Sequence, residues 1–173
     1  HGVWTAGYYA ARKSPYAYDA AFFIDRVEIR RRDGALETIT ELVPSAEHAA
    51  EVRRYTLTNH GEEEVEVELT TFTELSLAPR AADRAHRAFS TLFVETEALP
   101  ELGAVLAHRR PREHGEPPIW VAQVLTPADE AFGPIDYDTS RPRFIGRSGS
   151  VERPRALGKL ETRLAGKTGP VLD

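Results

Sequence analysis

The 173-residue sequence contains no cysteine and no methionine. Without cysteine there is no disulfide, no thiolate zinc site and no cysteine nucleophile. With no methionine, and with His1-Gly2-Val3-Trp4 at its start, the sequence is expected to be a piece of a longer or processed polypeptide. No apolar run approaches the roughly 20 residues of a membrane-spanning helix, and no signal-peptide pattern opens the chain. Basic excess is also missing. The formal net charge is −5, which argues against general nucleic-acid binding, because that needs a basic surface to neutralise phosphates. The arginine clusters Arg30 to Arg32 and Arg109 to Arg112 read as solvated edges and turns. Hydrophobic residues at 41% and charged residues at 28% are those of a single globular domain with length enough for a core.

What is present is strand patterning broken by turn signals. Val3 to Tyr9 is aromatic and β-favouring. Tyr16 to Arg32 alternates in its second half, with Asp25 interrupting. Asp33-Gly34 is a hairpin signal, since the pair tolerates the positive φ a tight turn needs. Leu36 to Val43 reads as the returning strand. Ser45 to Ala50 is either one helical turn capped by Ser45 or a loop. In Glu51 to Thr58, Val52 is out of phase with Tyr55 and Leu57, and a bulge near Arg53-Arg54 would reconcile them.

Asn59-His60-Gly61 makes a turn into the most regular alternation in the chain. Val65, Val67, Leu69 and Thr71 share one parity; Glu64, Glu66, Glu68 and Thr70 share the other. The pattern predicts a half-buried antiparallel strand with a solvated acidic face. A polar connection follows, in which Ala81 to Ala88 suits a short helix. Strands are expected at Thr91 to Thr96, Gly103 to Ala107 and Ile119 to Leu125, and short ones at Ile135 to Tyr137 and Arg143 to Ile145. Gly146 to Lys159 reads as an exposed loop. The sum is about nine strands and no long helix, hence an all-β sandwich or barrel.

The chemical motifs are few. Gly166-Lys167-Thr168 resembles the tail of a P-loop but has Glu161 where the earlier glycine belongs. Neither an HxxxH nor an HExxH pattern occurs among the six histidines, and Gly146-Arg147-Ser148-Gly149 fails as a nucleophile elbow by one residue. No metal and no cofactor is therefore expected. Trp4, Tyr8, Tyr9 and Trp120 carry flat faces that could stack on sugar rings or fill a core. Asp83, Arg84, His86 and Arg87 form the densest polar cluster on a connection, where binding residues concentrate, although a capped turn with solvated charges would look the same.

TLTNHG at Thr56 to Gly61, then ELTTFTELSLAP and the Ala-Ala-Asp, Ala-His and Ala-Phe-Ser steps running to Leu92-Phe93-Val94-Glu95-Thr96-Glu97, resemble the amino-terminal β-domain of glycoside hydrolase family 94. The resemblance is strongest to the version found in cyclic β-1,2-glucan synthases. Val3 to Gly7, the hairpin Glu28 to Thr38, Arg143 to Arg147 and Gly169 to Asp173 are similar to further segments of that family. The resemblance implies a β-supersandwich of the galactose-mutarotase-like kind, incomplete at its amino-terminal edge, in one domain over residues 1–173. It also implies that catalysis, in a glycosyltransferase or glycoside phosphorylase parent, belongs to a helical barrel beyond this chain. The chain itself is then a non-catalytic carbohydrate-binding or supporting domain. Expected partners are a β-glucan or oligosaccharide, the barrel, and a second copy in a homodimer, with no nucleic acid. The bacterial inner membrane is the compartment the parent's resemblance suggests. The residues expected to contact sugar are Asp83, His86 and Phe89, followed by Trp4 and Trp120. Where the family has His-Pro-Ala-Phe-Ser, this chain has His86-Arg87-Ala88-Phe89-Ser90. Two other readings are a purely structural or dimerising sandwich, and a mutarotase-like enzyme, for which no His and Glu pair is apparent.

Overall fold

A computed structural model describes residues 3–7, 13–111, 114–127, 135–147, 149–157 and 168–169. The chain divides into two compact units, His1–Thr70 and Thr71–Asp173. Each carries one antiparallel sheet.

The first unit is a four-stranded meander: β1 (Ala17–Phe22), β2 (Val27–Asp33), β3 (Leu36–Pro44) and β4 (Glu51–Asn59). The span Tyr16 to Arg32, which alternates in its second half with Asp25 interrupting, is two strands folded at residues 23–26, where Phe23 N donates to Arg26 O at 2.9 Å. Asp33 pairs with Leu36, so the two loop residues are Gly34 and Ala35. Gly34 has φ +66°, the left-handed value a primed hairpin turn asks of its first central residue. Of the two readings of Ser45 to Ala50 the loop is the one that forms, with no helical turn; Ser45 Oγ closes it by accepting from Glu47 N and His48 N at 3.3 and 3.1 Å.

The bulge near Arg53-Arg54 is absent: β3 and β4 pair without interruption from Pro44↔Glu51 to Leu36↔Asn59. Val52 is 67% exposed and simply faces outward. Nor are Arg30 to Arg32 all a solvated edge. Arg31 is 1% exposed and forms a two-pronged ion pair with Asp33, Nε to Oδ2 at 2.6 Å and Nη2 to Oδ1 at 3.1 Å. Its remaining donors reach Gly7 O at 2.7 Å and Lys13 O at 2.8 Å. The aromatic stretch at the start is thus tied to the sheet by a side chain. Residues 3–7 form no ladder, and Tyr8 and Tyr9 lie outside the described residues.

The acidic alternation does not make a strand. Residues 64–77 are without ladder pairing among the described residues, and the boundary between the two units falls inside them. Alternation reports which side chains face where; a strand also requires a neighbouring backbone to bond with. Half-burial of Val67 and Leu69 with exposed Glu66 and Glu68 keeps the side-chain periodicity.

The second unit opens with two short helices, α1 (Arg80–Ala85) and α2 (Arg87–Thr91), then β5 (Val94–Leu99), β6 (Ala104–Arg109) and β7 (Ile119–Val124), paired in that order. A 3-10 turn at Pro100–Leu102 replaces a simple break between β5 and β6 and ends at Gly103, φ +58°. A Cβ at Gly103 would stand 2.7 Å from the backbone carbonyl of Leu125, which cannot swing away as a side chain would. Gly103→Ala is therefore expected to cost about 1–3 kcal/mol from left-handed strain and the contact, measurable as a lowered urea midpoint.

The expected strands at 135–137 and 143–145 do not form. Arg141–Phe144 is a helical turn, α3, with Pro142 in its first turn and Ser140 before it. Phe144 and Ile145 make a small core with Ala156, against which Leu157 packs. Ala156 N bonds to Phe144 O at 3.0 Å, and Pro154 is buried, so this part of the expected exposed loop folds inward. Residues 158–167 and 170–173 lie outside the described residues.

Candidate functional site

The two-residue periodicity of β5, β6 and β7 sorts the second sheet into two unlike faces. Val94, Ala107 and Arg109 are buried on one. The other carries Glu95, His108 and Trp120 side by side, since Glu95 pairs with His108 and His108 with Trp120. Arg110 N bonds to Phe93 O at 2.8 Å, extending that face by one further row.

The contacts along this face are continuous. The Trp120 ring stacks on the His108 ring with centroids 4.4 Å apart and planes 27° from parallel. His108 Nε2 lies 3.5 Å from Glu95 Oε2, and Arg110 Nη1 lies 3.3 Å from Glu95 Oε1. Arg110 Cζ is 5.9 Å from the Phe93 ring centroid. Phe93 in turn meets Phe89 edge to face, centroids 5.3 Å apart and planes at 81°. Glu95 and Arg110 are both solvent-accessible, so their attraction contributes at most about 1 kcal/mol to stability. Its consequence is orientation: Glu95 is held between a guanidinium and an imidazole, and the imidazole supports the indole.

Asp83, His86 and Phe89 sit on the helical pair that leads into β5. His86 is the hinge between α1 and α2. It ends α1 with its N–H on Ala82 O at 3.0 Å and starts α2 with its own carbonyl accepting from Phe89 N and Ser90 N, each at 3.1 Å. Its backbone therefore carries the turn. Asp83 is half-buried, and its Oδ1 is buried with no hydrogen-bond partner among the described residues. An unpaired carboxylate oxygen costs about 1–3 kcal/mol or more, a penalty that a donor from elsewhere would relieve. Phe89 is 45% exposed.

Phe89 and Trp120 are thus brought onto one string of contacts. The intermediates Phe93, Glu95, His108 and Arg110 were missed as a group by sequence reasoning. Only the strand register joins them, although Phe93, just before β5, has the same parity as Glu95. Trp120 is 54% exposed and is not a core residue. Trp4 belongs to the first unit, where it is half-buried with Lys13 Nζ 5.9 Å from its ring centroid. Lys13 Nζ also approaches Asp33 at 3.9 Å, so one ammonium lies near both the Trp4 ring and the Arg31–Asp33 pair.

Two antiparallel sheets with few and short helices make the fold all-β. The chain belongs to the glycosyl hydrolase 94 supersandwich domain family, whose profile matches residues 1–173. It is similar to the cyclic beta-(1,2)-glucan synthase NdvB of Rhizobium meliloti (strain 1021), with 31% identity over 99% of this chain. It is also similar to solabiose phosphorylase of Paenibacillus borealis, with 23% identity over 89% of this chain. The chain spans 6% of the length of the first and 19% of the second.

Proposed function

We propose that this chain is a non-catalytic, carbohydrate-contacting support domain of a glucan-processing enzyme, with Asp83, His86 and Phe89 as the contact residues of its helical pair. The observation that carries the proposal is that one helical pair holds both an exposed aromatic ring, Phe89 on α2, and a carboxylate, Asp83 on α1, whose buried Oδ1 lacks a partner among the described residues. A pyranose presents both complements, an apolar ring face and hydroxyl donors. Family membership and two relatives named for carbohydrate chemistry support the same reading. Bond-making in this reading falls to the helical barrel of the parent enzyme, and the domain supports that barrel and its homodimer.

Calorimetric titration of the intact protein with linear β-1,2-glucan oligosaccharides tests the proposal. Asp83→Asn removes the charge of the acceptor and is expected to weaken binding about tenfold, the worth of one hydrogen bond to a charged group. Equal affinity in Asp83→Asn and Phe89→Ala would remove the helical pair from the contact surface. Absence of heat at millimolar ligand would leave a scaffolding role alone.

A further inference from the structure

The outer face of the second sheet carries more than the helical pair does. Trp120 stands on β7, the strand at one edge of the sheet. One face of its indole is covered by the His108 ring, and the residue is still 54% exposed. An aromatic left this open on an isolated strand would be free to change rotamer. Here the stack at 4.4 Å fixes one ring plane, and the plane opposite His108 faces away from the stack.

The support is itself ordered. His108 is set against Glu95, and Glu95 against Arg110, whose guanidinium lies near Phe93. This is a costly arrangement for a surface that does nothing. Each long side chain gives up rotamer freedom, while exposed ion pairs return little. Along β7 the same face continues with Ala122, a small residue that leaves the indole without a bulky apolar neighbour on its own strand. A flat aromatic plane with ionisable groups on one side and Ala122 and Leu106 on the other suits a pyranose ring. The C–H face of the sugar covers the indole, and its equatorial hydroxyls extend to water and to the polar rim.

We infer that the open face of Trp120 is a sugar-stacking platform for a glucopyranose unit of a β-glucan, with His108 and Glu95 as positioning residues. This inference rests on the proposed function and adds to it a second contact point. The string Trp120–His108–Glu95–Arg110–Phe93–Phe89 then links two aromatic contacts on one unit, so a chain of several sugar units would engage more than one ring.

Oxidative footprinting of the intact protein, read by mass spectrometry at the Trp120 peptide with and without linear β-1,2-glucan oligosaccharides, tests the inference on unmodified protein. Trp120 is expected to oxidise readily alone and to be protected by the oligosaccharide. Trp120→Ala should weaken binding about tenfold, and Trp120→Phe less, since a smaller ring retains part of the stack. His108→Ala should weaken binding as well, and His108→Phe should restore it by returning a flat ring beneath the indole. Four outcomes tell against the inference. Protection of the Asp83-to-Phe89 peptide with Trp120 unchanged would do so while leaving the proposed function standing. Trp120 that resists oxidation without sugar would mean that another part of the protein covers it. Loss of binding in His108→Ala that His108→Phe fails to restore would end the positioning role. Protection at neither peptide would remove the proposed function together with the platform.

Discussion

Replacing Arg31 by methionine is expected to destabilise the first unit by about 3 kcal/mol, the lower end of the cost of breaking a buried ion pair, since Lys13 Nζ at 3.9 Å stays as a weaker partner of Asp33. The side chain has 0% exposure and its partner Asp33 has 6%, so water cannot take over for the lost guanidinium. Four acceptors lose their donor at once: both oxygens of Asp33 and the carbonyls of Gly7 and Lys13. Among the described residues of this unit the buried ones are Arg31, Thr38 and Thr40. No apolar residue is among them, so the contacts of Arg31 are the most completely enclosed in this sheet. Arg31→Lys should recover only part of the loss, because one ammonium cannot reproduce a planar fork. With urea m-values of about 1–3 kcal/mol/M, the unfolding midpoint should fall by more than about 1 M. Hydrogen exchange in β2 and β3 of the intact protein would assign the loss to this sheet. A shift below about 0.5 kcal/mol, the size of an ordinary surface substitution, would show that the pair is solvated in solution. In a double-mutant cycle, Arg31→Met with Asp33→Asn should cost less than the two single changes added, since neither then strands a charge.

Arg31 also marks the limit of what could be read from residues. Three arginines in a row look like a solvated edge, and Arg30, on the opposite parity from Arg31, is exposed as expected. What buries Arg31 is a meeting between β2 and carbonyls 18 and 24 residues away in sequence, at Lys13 and Gly7. Local patterns carry no record of such a meeting. Local signals did locate the β2–β3 hairpin, the Ser45 turn and the Asn59 turn, because each is closed by residues within a few positions of one another. The all-β class was legible for the same reason. The run Val65 to Thr71 misled because regular alternation fixes side-chain faces and leaves the backbone partner unspecified. At the candidate site, Phe89 and Trp120 could be singled out by type. Glu95, His108 and Arg110 became a group only through the register of β5 on β6 and β6 on β7.

The second unit should respond most strongly at Phe144. Its ring is 6% exposed and lies parallel to Phe72, centroids 5.1 Å apart and planes 9° from coplanar. It also belongs to the small core with Ile145 and Ala156. Phe144→Ala is expected to cost about 3–5 kcal/mol, the range for emptying a buried aromatic site. The core has few members, so there is little neighbouring mass to collapse into the space. Phe144→Leu keeps most of the volume and should cost less than half as much. The cycle with Phe72→Ala should show a coupling of about 0.5–1.5 kcal/mol for the ring pair. The sequence carried one clue to this core that strand patterning hid. Ser140 followed two residues later by Pro142 is a helix-start signal, and the structure puts Phe144 at the end of the turn they begin. The turn points Phe144 inward, and residues 154–157 close over it through the bonds of Ala156 N to Phe144 O and Arg155 N to Ile145 O. If Phe144→Ala leaves hydrogen exchange in residues 144–157 unchanged, that closure depends on backbone bonding and not on the ring. If exchange there rises while β5 to β7 stay protected, the core opens locally. The face bearing Trp120 is built on β5 to β7, so the platform proposed there should then keep its affinity for the oligosaccharide.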